Sequence, residues 1–129
     1  MIIGIGIDII DIPRVKKIAE EFGEDFVSKI FADNEIAYCK AKKTPEINLA
    51  ARFAAKEAFL KALGTGLRGG IDWKDIQIVN DDLGNPFICL EGNAKKLAAK
   101  RGIVTTHLSI SHTSEYATAM VVLEDRQTT

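Results

Sequence analysis

The run RFAAKEAFLKALGTG, residues 52 to 66, constrains the fold of this chain more than any other stretch. It predicts a helix over roughly residues 47 to 63, stopped at Gly64, with apolar residues on every side rather than along one stripe. A helix with no clean solvated face has to be covered from several directions. With 129 residues the chain can build one core to cover it, and a large cleft would need a second subunit to complete it. Yet this helix also carries Arg52, Lys56, Glu57 and Lys61.

At about 100° per residue, Lys61 falls about 40° from Glu57, with Phe53, Leu60, Ala50 and Ala54 nearby. Arg52 and Lys56 fall on a different face, flanked by Phe59 and Leu63. A surface Glu-to-Lys pair at i, i+4 contributes only about 0.2 to 0.5 kcal/mol and is the usual explanation for this spacing. Inside an apolar stripe the pair meets a desolvation cost that can exceed its attraction, so it points to a site where a metal or anion supplies the missing partner. Lys56 has no assigned role: solvent exposure or a subunit contact fits it as well as ligand binding does.

The N-terminal MIIGIGIDIIDI alternates. Ile3, Ile5, Ile7 and Ile9 share one face, expected to be the core face of a strand, and Gly4, Gly6 and Asp8 share the other. A face stripped of side chains up to a carboxylate suits close approach by another backbone or a ligand. The run is too short to span a bilayer and no basic leader precedes it, so it is expected to be a strand of the mature protein.

Asp11 as N-cap and Pro13 in the first turn predict a helix through RVKKIAEEF, which Gly23 divides from a second piece. Asp33 is placed as the cap of a short helix NEIAYCKAK, and Pro45 breaks the pattern before the long helix. The second half reads as IDWKDIQIVND and PFICLEG about a turn at Leu83, Gly84, Asn85 and Pro86. A helix NAKKLAAKRG and the strands THLSISHT and YATAMVVLE follow. The class is α+β, an antiparallel or mixed sheet packed against helices, in a single domain over residues 1 to 124 with a frayed tail at 125 to 129.

A net charge of -1 supplies no global basic field for nucleic acid or an anionic membrane, and no basic stripe with interleaved aromatics appears. Cys39 and Cys89 make neither a disulfide framework nor a zinc spacing, which fits a reducing cytoplasm.

A hard divalent cation needs oxygen ligands, and Mg2+ is commonly held by one or two carboxylates plus phosphates and waters. Asp8 and Glu57 would make such a half-built site. GTGLRGG, residues 64 to 70, is rich in free backbone N–H groups that suit phosphate oxygens. It lacks the Walker A lysine, and GIGID lacks the third glycine of a dinucleotide fingerprint. His107 and His112 flank two serines without a nucleophile elbow. His112 is read as a phosphate or ribose contact, and His107 as structural.

GIGIDIIDIPR, RFAAKEAFLKALGTG and SISHTSEYATA resemble, in order and spacing, the holo-acyl-carrier-protein synthase family of phosphopantetheinyl transferases. With the LGNP turn these blocks span nearly the whole chain. The resemblance implies the phosphopantetheinyl transferase fold and transfer of the 4'-phosphopantetheine arm of coenzyme A to a serine of apo-acyl carrier protein, with release of adenosine 3',5'-bisphosphate, in support of fatty acid biosynthesis. It implies Mg2+ between the coenzyme A pyrophosphate and Asp8 and Glu57, with Lys61 near the pyrophosphate beside Gly64. It also implies Arg52, His112 and Thr113 at the nucleotide end, Arg14 at the carrier-docking helix, and homotrimers with sites between subunits. The expected basic helix departs from the pattern, because Arg14, Lys16 and Lys17 are followed by Glu20, Glu21, Glu24 and Asp25. Ile18, Phe22 and Phe26 are therefore expected to add apolar contact with the carrier. The proton acceptor for the serine stays open among Glu57, a metal-bound water and Lys61. A non-catalytic nucleotide-binding module is the competing reading, and it would tolerate Asp8→Ala.

Overall fold

The computed structural model describes residues 1–126. Strand β1 (Ile2–Asp11) runs directly into helix α1 (Ile12–Phe22), followed by α2 (Glu24–Ile30), α3 (Asp33–Lys40) and α4 (Pro45–Leu63). Short 3-10 turns at Arg68–Gly70 and Trp73–Asp75 lead to β2 (Ile76–Asn80) and β3 (Pro86–Leu90), then α5 (Gly92–Lys100), β4 (Ile103–His112) and β5 (Tyr116–Asp125). The class is α+β, as expected. β5 pairs antiparallel with both neighbours to give the order β1-β5-β4, and β2 with β3 forms a separate antiparallel hairpin.

Helix α4 lies across the β1-β5-β4 sheet, and Ala54, Ala58, Phe59 and Leu63 form a common core with Ile76, Ile78, Val121 and Leu123. The strand faces are the reverse of the expectation. Ile5, Ile7 and Ile9 are 62%, 61% and 65% exposed, while the glycine face turns inward onto α4. A Cβ on Gly6 would stand 1.9 Å from the Ala58 carbonyl oxygen, and one on Gly4 would stand 2.2 Å from that of Ala62. The physical reason is closeness of approach. A glycine-stripped strand against an alanine-lined helix lets two backbones meet where isoleucines would hold them apart.

Local chemistry explains the element ends. Asp11 caps α1 by accepting the Arg14 N–H at 3.0 Å, and Gly23 separates α1 from α2. Pro45 does not precede α4; it opens it, at a position where its missing N–H costs nothing. Asp33 is the first residue of α3 rather than its cap, which is Ala32. The strand expected from IDWKDIQIVND begins only at Ile76, because Asp72 caps a 3-10 turn by accepting the Lys74 N–H at 2.9 Å. β5 extends through Asp125, whose N–H donates to the Met1 carbonyl at 3.0 Å. The rest of the expected tail, 127–129, lies outside the described residues.

Candidate active site

Asp8 follows Gly4 and Gly6 on the same face of β1, so its side chain also points at α4. There it meets Lys61, whose ammonium donates to Asp8 Oδ1 at 2.8 Å and to the Ile7 carbonyl at 3.1 Å. The other carboxylate oxygen, Asp8 Oδ2, is buried and has no hydrogen-bond partner among the described residues. Thr118 on β5 fixes the strand at this point by donating to the Asp8 carbonyl at 2.9 Å.

Glu57 is half-buried one turn before Lys61 on α4. The expected Glu57–Lys61 pair does not form; among the described residues Lys61 gives its ion pair to Asp8. The glycine-lined approach brings β1 near enough for Asp8 to compete for the lysine, and Glu57 is left without that compensation. Burial first, and then the Asp8 charge, raise the Glu57 pKa above the ordinary carboxylate value, with Lys61 opposing. Two carboxylates and one lysine thus share a small volume with negative charge in excess.

Gly64 takes the left-handed conformation that ends α4, with φ 81°, and its N–H closes the helix on the Leu60 carbonyl at 2.9 Å. Arg101 donates to the Leu63 carbonyl and steadies this end. Arg68 N–H returns to the Thr65 carbonyl at 3.4 Å, leaving the amides of Thr65, Gly66 and Leu67 without an acceptor among the described residues. A cavity of about 430 Å3 opens here, lined by Glu57, Lys61, Gly64, Gly66, Leu67 and Trp73.

The other residues singled out in the sequence lie elsewhere. Arg52 and Lys56 do share a face, but neither of the two roles weighed for Lys56 at the surface holds: it is 0% exposed and paired with Glu35 at 2.7 Å. Burial lowers the Lys56 pKa and Glu35 opposes the shift. Arg52 is buried, donates to Asn80 Oδ1 at 2.7 Å and lies 4.3 Å over the Tyr38 ring. Glu35, the carboxylate serving both cations, was missed in the sequence. Its only signal is that two cations on a core helix require an anion nearby.

His112 and Thr113 lie at the end of β4, which β5 separates from β1. Thr113 Oγ1 accepts the N–H groups of Glu115 and Tyr116 at 3.1 and 3.0 Å, shaping the β4–β5 turn. His107 contacts Glu124 across the sheet, a structural place. Arg14 and Ile18 line a groove with Ile10, Val15, Phe53 and Tyr116. Phe22 is exposed away from it, and Phe26 is taken up by edge-on packing against Phe53, ring centres 6.5 Å apart.

Residues 4–121 match the family model described as the 4'-phosphopantetheinyl transferase superfamily. A holo-[acyl-carrier-protein] synthase of Trichlorobacter lovleyi is 48% identical over 124 residues, spanning 96% of this chain and 98% of that protein. The chain belongs to the holo-[acyl-carrier-protein] synthase family. Among solved members of the family, the Neisseria meningitidis synthase superposes with a TM-score of 0.91 at 38% identity, over 97% of this chain and 100% of that one. The Bacillus anthracis synthase, described as a complex with CoA (3',5'-ADP), gives 0.81 at 39% identity over 98% and 99%.

The donor set suits the cation that the synthase family implies. Asp8 Oδ2 is an unpartnered anionic oxygen, and Glu57 is a carboxylate short of positive charge. Both are hard oxygen donors, and among the described residues no third His, Cys, Asp or Glu joins them. That count matches Mg2+, which commonly leaves its other positions to water and substrate phosphates.

Proposed function

We propose that this enzyme transfers 4'-phosphopantetheine from coenzyme A to a serine hydroxyl of apo-acyl carrier protein in the presence of Mg2+, in cytoplasmic fatty acid biosynthesis. The observation that carries the reading is the meeting of Asp8 with the Glu57–Lys61 side of α4 beside a loop of unpaired amides.

The serine oxygen must form a bond to phosphorus as the pyrophosphate P–O bond breaks and adenosine 3',5'-bisphosphate leaves. The groups around the reacting phosphates contribute chiefly position and charge. Lys61 is held by Asp8 and the Ile7 carbonyl with half of its side chain in solvent, an anchored cation able to meet a phosphate oxygen. The amides of Thr65, Gly66 and Leu67 offer neutral donors to the same group. Asp8 and Glu57 would hold Mg2+, which when bound neutralises charge developing on the pyrophosphate. Arg14 and Ile18 would receive the acidic carrier in the groove beside β1, with the exposed Phe22, outside that groove near the end of α1, as a further apolar contact. Arg52, His112 and Thr113 are assigned to the nucleotide end. The separation of His112 and Thr113 from Asp8 by a whole strand supports homotrimers in which this edge meets the Asp8 of a neighbour.

The deciding experiment is mass spectrometry of apo-acyl carrier protein incubated with the enzyme, coenzyme A and Mg2+, with and without chelator. A gain equal to phosphopantetheine that chelator abolishes is expected; no gain with several carriers overturns the reading.

A further inference from the structure

Lys56 has no part in the chemistry above, yet its ammonium is fully enclosed and doubly bound. It donates to Glu35 Oε1 at 2.7 Å and to the Trp73 carbonyl at 2.9 Å. Glu35 is itself buried and accepts two backbone N–H groups, from Ala32 on Oε1 and from Ile78 on Oε2, each at 3.1 Å. One carboxylate therefore ties together the start of α3, the middle of α4 and strand β2, and through Lys56 it reaches the turn at Trp73–Asp75. An apolar pair of the same volume would fill this space without the desolvation cost, so packing alone does not account for it. What an apolar pair cannot do is grip a carbonyl oxygen.

That carbonyl belongs to a residue lining the cavity that Glu57, Lys61 and Gly64 also line. Lys56 and Glu57 are adjacent on α4, so one helical turn presents Glu57 to the cavity and, on another face, holds the Trp73 segment. The wall next to Lys61 is thereby indexed to the helix that bears the carboxylate. We propose that Glu35 and Lys56 are positioning residues that fix the Trp73 wall relative to α4 and so set the width of the cavity that receives coenzyme A. The inference rests on coenzyme A being the substrate.

Trp73 is the protein's single tryptophan, so its fluorescence reports the wall directly. The variants are Glu35→Gln, Lys56→Met, and both together. The double variant removes both charges of the pair and loses the bond to the Trp73 carbonyl; Arg52, 3.9 Å from Glu35, keeps its bond to Asn80, and circular dichroism selects the variants that remain folded. Before any ligand is added, acrylamide quenching of Trp73 is expected to rise in the order wild type, Glu35→Gln, double variant, with far-ultraviolet circular dichroism unchanged. In steady-state transfer the KM for coenzyme A of the folded double variant is expected to rise about tenfold with kcat within about threefold, the pattern of lost binding rather than lost chemistry. Wild-type quenching together with wild-type KM in folded Glu35→Gln and double variants overturns the proposal. So does a fall in kcat at unchanged KM. A wild-type enzyme that does not use coenzyme A overturns the functional reading instead, and the ligand-free quenching still judges the pair.

Discussion

Glu57 and Cys39 show how burial gives a side chain properties its name does not carry. In the ligand-free protein, burial and the Asp8 charge raise the Glu57 pKa. Above that raised value the folded state holds a charge that the unfolded chain would solvate better; below the ordinary glutamate range both states are neutral and the difference vanishes. Glu57→Gln is therefore expected to melt higher than the parent at neutral pH, the gap closing as pH falls from the raised pKa to the ordinary glutamate range. Transfer by the same variant should drop by about a hundredfold or more. Thermal melts across pH beside the mass assay check both, and a variant less stable at neutral pH would contradict the charge balance. Cys39, enclosed on α3, has its thiol pushed up to about 11, mainly by burial. Cys89 is exposed on β3. Since the thiolate is the nucleophile, iodoacetamide on native protein is expected to label Cys89 and spare Cys39 until the chain unfolds. Peptide mapping of the labelled protein decides it.

The contact between β1 and α4 is the element-scale device that makes the site. It places Asp8 against Lys61 only because Gly4 and Gly6 let the strand lie on the helix backbone. Gly6→Ala must push its new methyl away from the Ala58 carbonyl, and overpacking of this kind costs about 1 to 3 kcal/mol. Activity should fall beyond the stability loss, since the shift moves Asp8 from Lys61; a folded Gly6→Ala enzyme with wild-type turnover would show that this register does not matter. The glycine stripe was legible in GIGID as a place of close approach, but which face was core was not. Alternation gives two faces without saying which one a neighbouring element covers. The long helix, the Asp11 cap and the Gly64 stop were legible because each depends on residues close in sequence. The Lys61–Asp8 pair, 53 residues apart, and the Glu35–Lys56 pair, 21 apart, depend on tertiary packing that no local pattern encodes. The helical angles did separate Arg52 and Lys56 from Glu57 and Lys61, and the structure keeps that division while giving the first pair a buried anion.

At the scale of the molecule, the outward face of β1 has no cover among the described residues. Ile5, Ile7 and Ile9 stand exposed beside Met120 of β5. Burying one such side chain contributes about 1.5 to 3 kcal/mol, so a row of them is a strong drive to association. The proposed homotrimer should appear in native mass spectrometry, and Ile7→Glu should yield monomers of unchanged circular dichroism with little transfer. Whether the site is shared is a separate question. In the proposed arrangement each site takes Asp8 from one subunit and His112 from its neighbour. Asp8→Ala and His112→Ala trimers should each be impaired alone. Unfolded together in equal amounts and refolded, they should regain activity, because about a quarter of the interfaces in a randomly mixed ring pair an intact Asp8 with an intact His112. If both groups served one site from a single chain, no mixture could restore it, since every chain would lack one of the two. Recovery therefore discriminates where an activity loss in either variant alone does not, and a mixture no more active than its components would return His112 to a site within its own subunit.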